Sequence, residues 1–340
     1  MSFLQRLQRH DWVLLILPLL FIAWTWAAAS LADHSLPIDS PMVWAPAALA
    51  VGVVVGRLAG WVPRVILGAL LALAVGATAR STITSGGGPL AGPLGYANAN
   101  AALGIQLAAL ACVVAVSSGL VLRLLMLLVA LGALAIPVLN TSTAAVGVSV
   151  LLIVGTIMAL AGWGRRAAWP AGIGAGLTAV GAALTWFMAT LSTWPAVAYQ
   201  GLSEARHTLW GDAVALWKQS PLVGSGPGSF EEFSELAKDP DTTRAHSSVL
   251  QVAAESGLIG VILFAALLGA GFFVTARVSA RLAWVASAAL AALCLHSFTD
   301  YIFDFPALMV TAGAVVGLAS AARMAPEAGR ARPRPHRSAG

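Results

Sequence analysis

Apolar residues in this chain form ten long runs, separated by shorter polar segments. A run of roughly 20 apolar residues crosses a bilayer as a helix, because a helix satisfies its own backbone polar groups where no water is present. The pattern predicts an all-α integral membrane protein with about ten transmembrane helices. Their predicted positions are Trp12–Ala32, Met42–Gly56, Val65–Ala79, Tyr96–Ser118, Leu124–Leu139, Thr143–Gly162, Ala168–Thr190, Ser248–Thr275, Leu282–Ser297 and Phe303–Ala322.

The same pattern divides the chain into four parts. Residues 1–190 hold seven predicted transmembrane helices, and residues 248–322 hold three more. Residues 191–247 form the only long hydrophilic segment between them. The last part, residues 323–340, is basic and rich in proline, and it is expected to be a disordered tail beside anionic lipid rather than a nucleic-acid-binding segment.

Part of the hydrophilic segment has helical spacing. Between Ser203 and Gln219, apolar residues line one side and charged residues the other. This predicts an amphipathic helix lying along the membrane surface. Three tryptophans are expected to form an interfacial aromatic belt. They are Trp194, Trp210 and Trp217.

Composition agrees with a membrane protein. The chain is 59% hydrophobic and 10% charged, with a mean hydropathy of +0.85. Soluble domains carry roughly 25% charged residues, so a soluble enzyme is excluded. Cys112 and Cys294 lie within apolar runs, which indicates buried packing residues and no disulfide framework.

The charge distribution predicts an orientation. Fourteen of the 19 Lys and Arg residues fall in one alternate set of segments, which includes both termini. By the positive-inside rule, both termini are cytoplasmic and residues 191–247 are extracytoplasmic. The five basic residues expected outside are Arg80, Arg206, Lys218, Lys238 and Arg244.

A polar motif lies where this outer segment enters the eighth predicted helix. The sequence RAHSSVLQVAAESGLIG runs from Arg244 to Gly260, with His246 just before a long apolar run. An ionisable side chain at the mouth of a membrane helix is costly, so it indicates function by default. The alternative is a histidine that only hydrogen-bonds to backbone at the start of the helix.

This motif resembles the signature of the O-antigen ligase and polymerase family of bacterial membrane glycosyltransferases. The shared spacing is His, then Ser or Asn, nine residues, Gly, two residues and Gly. The segment Arg206–Phe230 resembles the family's arginine-bearing helix and glycine-rich turn, and His296–Pro306 resembles its Asp-bearing final loop. The resemblance covers about residues 206–318, and more weakly residues 92–104.

The resemblance implies a lipid-donor, GT-C-like architecture in the bacterial inner membrane. Such an enzyme transfers a glycan from a polyprenyl-diphosphate carrier to an acceptor hydroxyl on the outer face. The acceptor is a glycan, a lipid or a protein, and ligase and polymerase activities share the same residues. This chemistry needs no cofactor, metal or nucleic acid.

The motif residues then acquire expected roles. His246 is the expected catalytic base, because an imidazole titrates near neutrality and can accept a hydroxyl proton. Arg206, Arg244 and Arg80 are the expected ligands of the donor diphosphate, since a guanidinium matches phosphate oxygens. The competing interpretation is that these arginines form salt bridges or extend to the membrane surface.

Three residues are expected to support the site. Glu255 lies inside a predicted membrane helix, so it must be neutral or paired, and Gln251 lies on the same face. Asp300 is expected to orient His246 or to bind the acceptor. Ser247 belongs to the signature itself.

Two further segments leave alternatives open. The glycine-rich turn, which contains Gly224, Gly226 and Gly228, could present backbone N–H groups to phosphate or be only a turn. Asn98 and Asn100 could bind sugar or, as we prefer, cap a helix. Ala144 and Ala145 stand where many relatives carry an arginine, which departs from the family pattern.

Two other functional classes compete with a transferase. A transporter or flippase of the same lipids would show internal repeats and polar residues at the membrane midplane. A structural scaffold would not need the histidine and arginines.

Overall fold

The computed structural model of the chain describes residues 12–36, 40–85, 92–239 and 242–321. These residues fold into thirteen α-helices and two short 3₁₀ turns, and no strand occurs among them. The α-helices are α1 Val13–Leu31, α2 Pro41–Ala59, α3 Arg64–Thr84, α4 Ala97–Val116, α5 Leu120–Leu139, α6 Thr143–Ala161, α7 Ala168–Ala189, α8 Ala196–Leu202, α9 Glu204–Gln219, α10 Ser229–Phe233, α11 Ser248–Thr275, α12 Ala280–Ser297 and α13 Pro306–Ala321.

The predicted fold class is confirmed. Each of the ten predicted membrane helices has a counterpart, from α1 to α7 and from α11 to α13. Within the described residues, nine of these helices are long and apolar enough to cross a membrane. The tenth, α13, has 16 residues within the described part of the chain. It begins at Pro306, after the 3₁₀ turn Ile302–Asp304.

Small residues let the helices approach closely. The central helix α4 is rich in alanine and almost entirely buried. Helices α2 and α13 approach each other closely. Gly52 and Gly56 face the backbone of α13, while Gly313 and Gly317 face that of α2. Such contacts are the usual basis of helix association in lipid, where burial of apolar surface gives little driving force.

Side-chain hydrogen bonds show which helix ends meet. The starts of α4, α6 and α11 and the end of α12 meet at one end of the bundle, through side-chain hydrogen bonds described below. At the other end, Trp284 near the start of α12 donates to the carbonyl of Trp163, just beyond α6. The predicted cytoplasmic tail, residues 323–340, lies outside the described residues.

The segment between α7 and α11 has a core of its own. Leu209, Trp210 and Phe230 are fully buried there. The apolar side of α9 packs against α11, so protein rather than lipid covers it, and the position of this helix along the membrane surface stays a prediction. Trp194 is buried as well, which removes it and Trp210 from the predicted aromatic belt.

Helix α11 is broken at Gly257, which has φ +62° and ψ −167°. The glycine-rich turn after α9 lies against this break. Ser225 and Gly226 donate backbone hydrogen bonds to the carbonyls of Ala254 and Glu255, each at 3.0 Å. Leu258 donates in return to the carbonyl of Pro221 at 2.8 Å. The first glycine of the family signature is therefore structural.

The backbone N–H groups of the glycine-rich turn also have partners within the protein. Gly224 donates to the carbonyl of Ser220 at 2.8 Å, and Gly228 donates to the Glu255 carboxylate at 3.0 Å. Together with Ser225 and Gly226, these amides are engaged within the protein. Of the two alternatives that the sequence left open, these contacts favour a turn that does not present its N–H groups to phosphate.

Candidate active site

The carboxylate of Asp300 is the centre of a polar cluster at one end of the bundle. Asp300 lies just after α12 and is 1% exposed. Its Oδ2 accepts hydrogen bonds from the Tyr96 hydroxyl at 2.8 Å and from the Asn98 amide, both near the start of α4. Its Oδ1 accepts from the backbone N–H of Tyr301 at 2.8 Å. The carboxylate is therefore held in one place.

Two basic side chains complete the cluster. Nη2 of Arg206 lies 3.2 Å from Oδ2 of Asp300, and Nδ1 of His246 lies 3.1 Å from Oδ1. Burial by itself raises the pKa of Asp300, but the hydrogen bond and charge of His246 and the charge of Arg206 outweigh it and lower the pKa to about 2. Asp300 is therefore ionised at neutral pH.

An ionised Asp300 fixes the histidine tautomer. A carboxylate without a proton can only accept, so Nδ1 of His246 must carry the hydrogen that joins them. In the neutral ring, Nε2 is then the basic nitrogen. The buried Asp300 charge also stabilises the imidazolium that forms when Nε2 takes up a proton. This is the arrangement that a general base requires.

The backbone of His246 is in an unusual conformation. Its φ of +50° lies in the left-handed region, which is uncommon for residues other than glycine. Trp210 donates to its carbonyl at 3.3 Å, and Tyr301 presents its ring to the imidazole at a centroid distance of 4.8 Å. Strained backbone of this kind persists where the surroundings impose it, and it concentrates at functional sites.

Arg206 is engaged at all three of its guanidinium nitrogens. Nε donates to the carbonyl of Thr299 at 2.9 Å and Nη1 to that of Leu202 at 3.0 Å, while Nη2 pairs with Asp300. The geometry therefore ties Arg206 to the loop that carries Asp300. Of the two interpretations, the structural one accounts for every contact of this side chain.

Arg244 is bound differently. Its Nε donates to Oδ2 of Asp304 at 3.1 Å, and its Nη1 lies 3.5 Å from Oε2 of Glu231. Its Nη2 has no hydrogen-bond partner in the described part of the chain. The side chain is 25% exposed. One end of this guanidinium is thus open to an anion.

The partner of Arg244 has an altered acidity. Burial raises the pKa of Asp304 to about 6, and the Arg244 guanidinium opposes this without cancelling it. For Arg244, burial lowers the pKa, but the charges of Asp304, Glu255 and Glu231 reverse the effect and raise it. Arg244 therefore stays charged over the whole physiological range.

Glu255 links the glycine-rich turn to the candidate base. Its carboxylate accepts from Gly228 N–H at 3.0 Å and from the Gln251 amide at 2.7 Å. Gln251 in turn accepts from the backbone N–H of Ala245 at 2.7 Å, one residue before His246. Gln251, which the sequence places on the same face of the helix, is therefore a hydrogen-bond partner of Glu255. The contacts favour a supporting role, as predicted.

Two predicted residues stand apart from the cluster. The buried hydroxyl of Ser247 has no hydrogen-bond partner among the described residues. Arg80 is exposed on α3, and no described contact joins its side chain to the cluster. Their predicted roles rest on the sequence alone.

The N-terminal half contributes more than its sequence indicated. Asn98 bonds Asp300 and accepts from the Ser142 hydroxyl at 2.6 Å, and α4 has no side-chain cap, so the capping prediction for Asn98 is wrong. Asn100 instead accepts from Leu94 N–H at 3.0 Å. The position of Asn98 in the predicted topology could have placed it in the cluster, because helices of alternating direction bring the start of α4 to the end of the bundle that carries His246. Ala144, one of the two alanines that stand where many relatives carry an arginine, lies two residues beyond Ser142.

An apolar cavity lies beside the cluster, between α1, α2, α11, α12 and α13. Its polar lining is Ser248, Gln251, Tyr301 and Asp304, next to the candidate base and Arg244. Its apolar lining includes Leu14, Phe21, Leu267 and Leu290, which lie along the membrane helices. The cavity therefore joins the polar cluster to the apolar interior of the bundle.

Comparison with known proteins supports this picture. Residues 127–265 match the sequence profile of a family described as O-antigen ligase. The chain is similar to the O-antigen ligases. The match includes Arg206, the glycine-rich turn, His246 and the break at Gly257, and it ends before Asp300. No curated protein matches the chain.

This match is consistent with the family resemblance predicted from the motifs. Together with the nine long apolar helices among the described residues, the match indicates a multi-pass membrane protein with a region similar to the O-antigen ligases.

Proposed function

We propose that the protein transfers a glycan from a polyprenyl-diphosphate carrier to an acceptor hydroxyl, in the manner of an O-antigen ligase. The observation that carries the proposal is the His246–Asp300 pair, with Arg244 close by, beside an apolar cavity. The pair supplies a base, the arginine a partner for phosphate, and the cavity a place for an isoprenoid chain.

The reaction then follows from the positions of these groups. Nε2 of His246 takes the proton of the acceptor hydroxyl as its oxygen attacks the anomeric carbon of the donor sugar. The bond from that carbon to the diphosphate oxygen breaks, and its electron pair leaves with the polyprenyl diphosphate. Asp300 stabilises the imidazolium, and Arg244 stabilises the charge on the leaving group.

Arg244 and Arg206 have different roles in this proposal. Arg244 contacts the donor diphosphate through its open end. Arg206 positions Asp300 and acts on the reaction only through it. Arg80 and Ser247 keep their proposed roles as a further phosphate ligand and a supporting group, on the evidence of the sequence.

The proposed location is the bacterial inner membrane, with the site on the extracytoplasmic side and both termini in the cytoplasm. The distribution of Lys and Arg supports this orientation. A polymerase of the same family would use the same residues and differ in its acceptor. A transporter is less favoured, because the polar groups gather at one end of the bundle rather than at the midplane.

The deciding experiment is a product assay. Purified protein is mixed with an undecaprenyl-diphosphate-linked glycan and, separately, with a lipid or a glycan acceptor, and the products are identified by mass spectrometry. We expect a new glycosidic bond with one acceptor class and its loss in His246→Ala. Movement of the donor across vesicles without any covalent product would support the transporter instead.

A further inference from the structure

Glu231 has a contact with Arg244 that differs from the one made by Asp304. The Glu231 carboxylate is 51% exposed and lies at 3.5 Å, whereas that of Asp304 is 24% exposed and lies at 3.1 Å. Glu231 is nevertheless held near by the fold. It belongs to α10, in which the neighbouring Phe230 is fully buried, and Gly228, just before α10, donates to the Glu255 carboxylate.

The two carboxylates occupy different edges of the guanidinium. Asp304 takes Nε, which leaves Nη1 and Nη2 at the other end. Of these two, Nη1 carries only the long contact to Glu231 and a 3.4 Å bond to the carbonyl of Thr243. Two adjacent N–H groups are what a phosphate group binds in a bidentate manner.

We propose that Glu231 is an exchangeable counter-ion, which occupies Nη1 of Arg244 in the empty site and gives it up to the donor diphosphate. The inference rests on the proposed function, in which Arg244 contacts that diphosphate. Asp304 is the fixed partner and keeps the guanidinium oriented throughout.

The physical basis is the difference in strength between the two anions. An exposed carboxylate–guanidinium pair is weak, because water and salt screen it and two side chains must be ordered. A diphosphate carries more charge and more acceptor oxygens, so it displaces the carboxylate. The displaced Glu231 then repels the bound diphosphate and promotes release of the spent carrier after transfer.

The test measures binding separately from transfer. Farnesyl diphosphate serves as a short probe, with farnesol as the uncharged comparison, and dissociation constants are measured by calorimetry on detergent-solubilised full-length protein. Glu231→Gln should tighten farnesyl diphosphate binding about 1.5- to 5-fold, the range expected for one exposed ion pair. Farnesol binding should not change.

Glu232→Gln is the matched control. Glu232 is the exposed neighbour of Glu231 on α10, and this substitution removes the same charge. It should change binding less than Glu231→Gln does. In an Arg244→Gln background, Glu231→Gln should have no effect. An equal gain from both glutamates, or no gain from Glu231→Gln, overturns the exchange.

The same measurements separate this inference from the proposed function. If wild-type protein binds farnesol as well as it binds farnesyl diphosphate, or if Arg244→Gln binds the diphosphate normally, the proposed diphosphate site is wrong and the exchange falls with it. If Arg244→Gln weakens diphosphate binding but Glu231→Gln does not tighten it, only the exchange is wrong.

Discussion

Asp300 and His246 are 54 positions apart in the sequence, and their side chains meet at 3.1 Å. Because Asp300 is ionised, this contact directs the hydrogen of His246 to Nδ1 and makes Nε2 the basic nitrogen. The pair thus has the arrangement of a general base, His246, and the carboxylate that orients it, Asp300. Everything else in the cluster acts on one of these two side chains.

Loss of the base should stop transfer without stopping binding. His246→Ala is expected to lower kcat by about 10²- to 10⁴-fold, the usual contribution of one positioned acid–base group, with the dissociation constant for farnesyl diphosphate unchanged. His207→Ala is the control. His207 lies in the same segment, but its Nε2 lies 3.2 Å from the Leu191 carbonyl. Near-normal kcat in His246→Ala would remove His246 from catalysis.

The two arginines should respond differently to lysine. Arg244→Lys should weaken farnesyl diphosphate binding by about 10- to 100-fold, because a charge-assisted bidentate contact is lost. Arg206→Lys should leave that binding within about twofold and lower kcat, because a single ammonium cannot hold Thr299, Leu202 and Asp300 together. Steady-state kinetics with a binding assay tests both. Weakened binding in Arg206→Lys would restore the original prediction that Arg206 contacts the donor.

Donor binding should depend on the charge of Asp304. Its pKa of about 6 makes it mostly ionised at pH 7.5 and mostly protonated at pH 5. Asp304→Asn resembles the protonated form at every pH. An ionised Asp304 repels the diphosphate. Farnesyl diphosphate should therefore bind wild type more weakly than Asp304→Asn at pH 7.5, where Asp304 is ionised, and equally well at pH 5, where it is protonated. Comparing the two proteins at each pH cancels the titration of the probe and of other groups. A constant ratio of the two dissociation constants would contradict the prediction.

The break in α11 should tolerate no side chain at Gly257. A Cβ there would overlap the Leu222 carbonyl, and the positive φ costs a non-glycine residue about 1–2 kcal/mol. Gly257→Ala should lower the thermal unfolding midpoint or prevent folding. Gly269→Ala is the matched control on the same helix, with nothing within 4 Å of its Cβ. It should be neutral or stabilising. Equal stability of the two variants would show that the break is not needed.

The predicted orientation can be tested by cysteine labelling. Glu232 on α10 and Arg166 between α6 and α7 are both exposed and belong to opposite ends of the bundle. The native cysteines are buried, so they should not react. In intact spheroplasts, an impermeant reagent should label Glu232→Cys and should label Arg166→Cys only after lysis. The reverse pattern would invert the topology.

The fold was accessible from sequence because each membrane helix is specified locally. Twenty apolar residues cross a bilayer whatever their neighbours are, so the positions of α1 to α7 and α11 to α13 could be predicted one at a time. The surface against which an amphipathic helix packs is not determined by its local sequence. The apolar side of α9 fits lipid or protein equally well, and only the position of α11 decides between them.

The site was predicted in part for a similar reason. His246 and Asp300 carry motif signals, so both were identified, although their mutual contact was only one of two interpretations. Arg206 and Arg244 look alike in sequence. They differ in how many of their nitrogens the folded protein already uses, and that depends on the carbonyls of Thr299 and Leu202, which no side-chain pattern reveals. Tyr96 was missed and Asn98 was predicted to be a helix cap, because their partner lies about 200 residues away.

The position of Asp300 near the end of the chain has a consequence for biosynthesis. Its carboxylate joins residues from α4, from α9 and from the entrance of α11, all of which leave the ribosome earlier. Until α12 has been inserted and has turned back, His246 lacks the acid that directs its proton. The nascent chain therefore carries His246 without its orienting acid while the 54 residues up to Asp300 are made, and the proposed activity would begin only when α12 and Asp300 are in place.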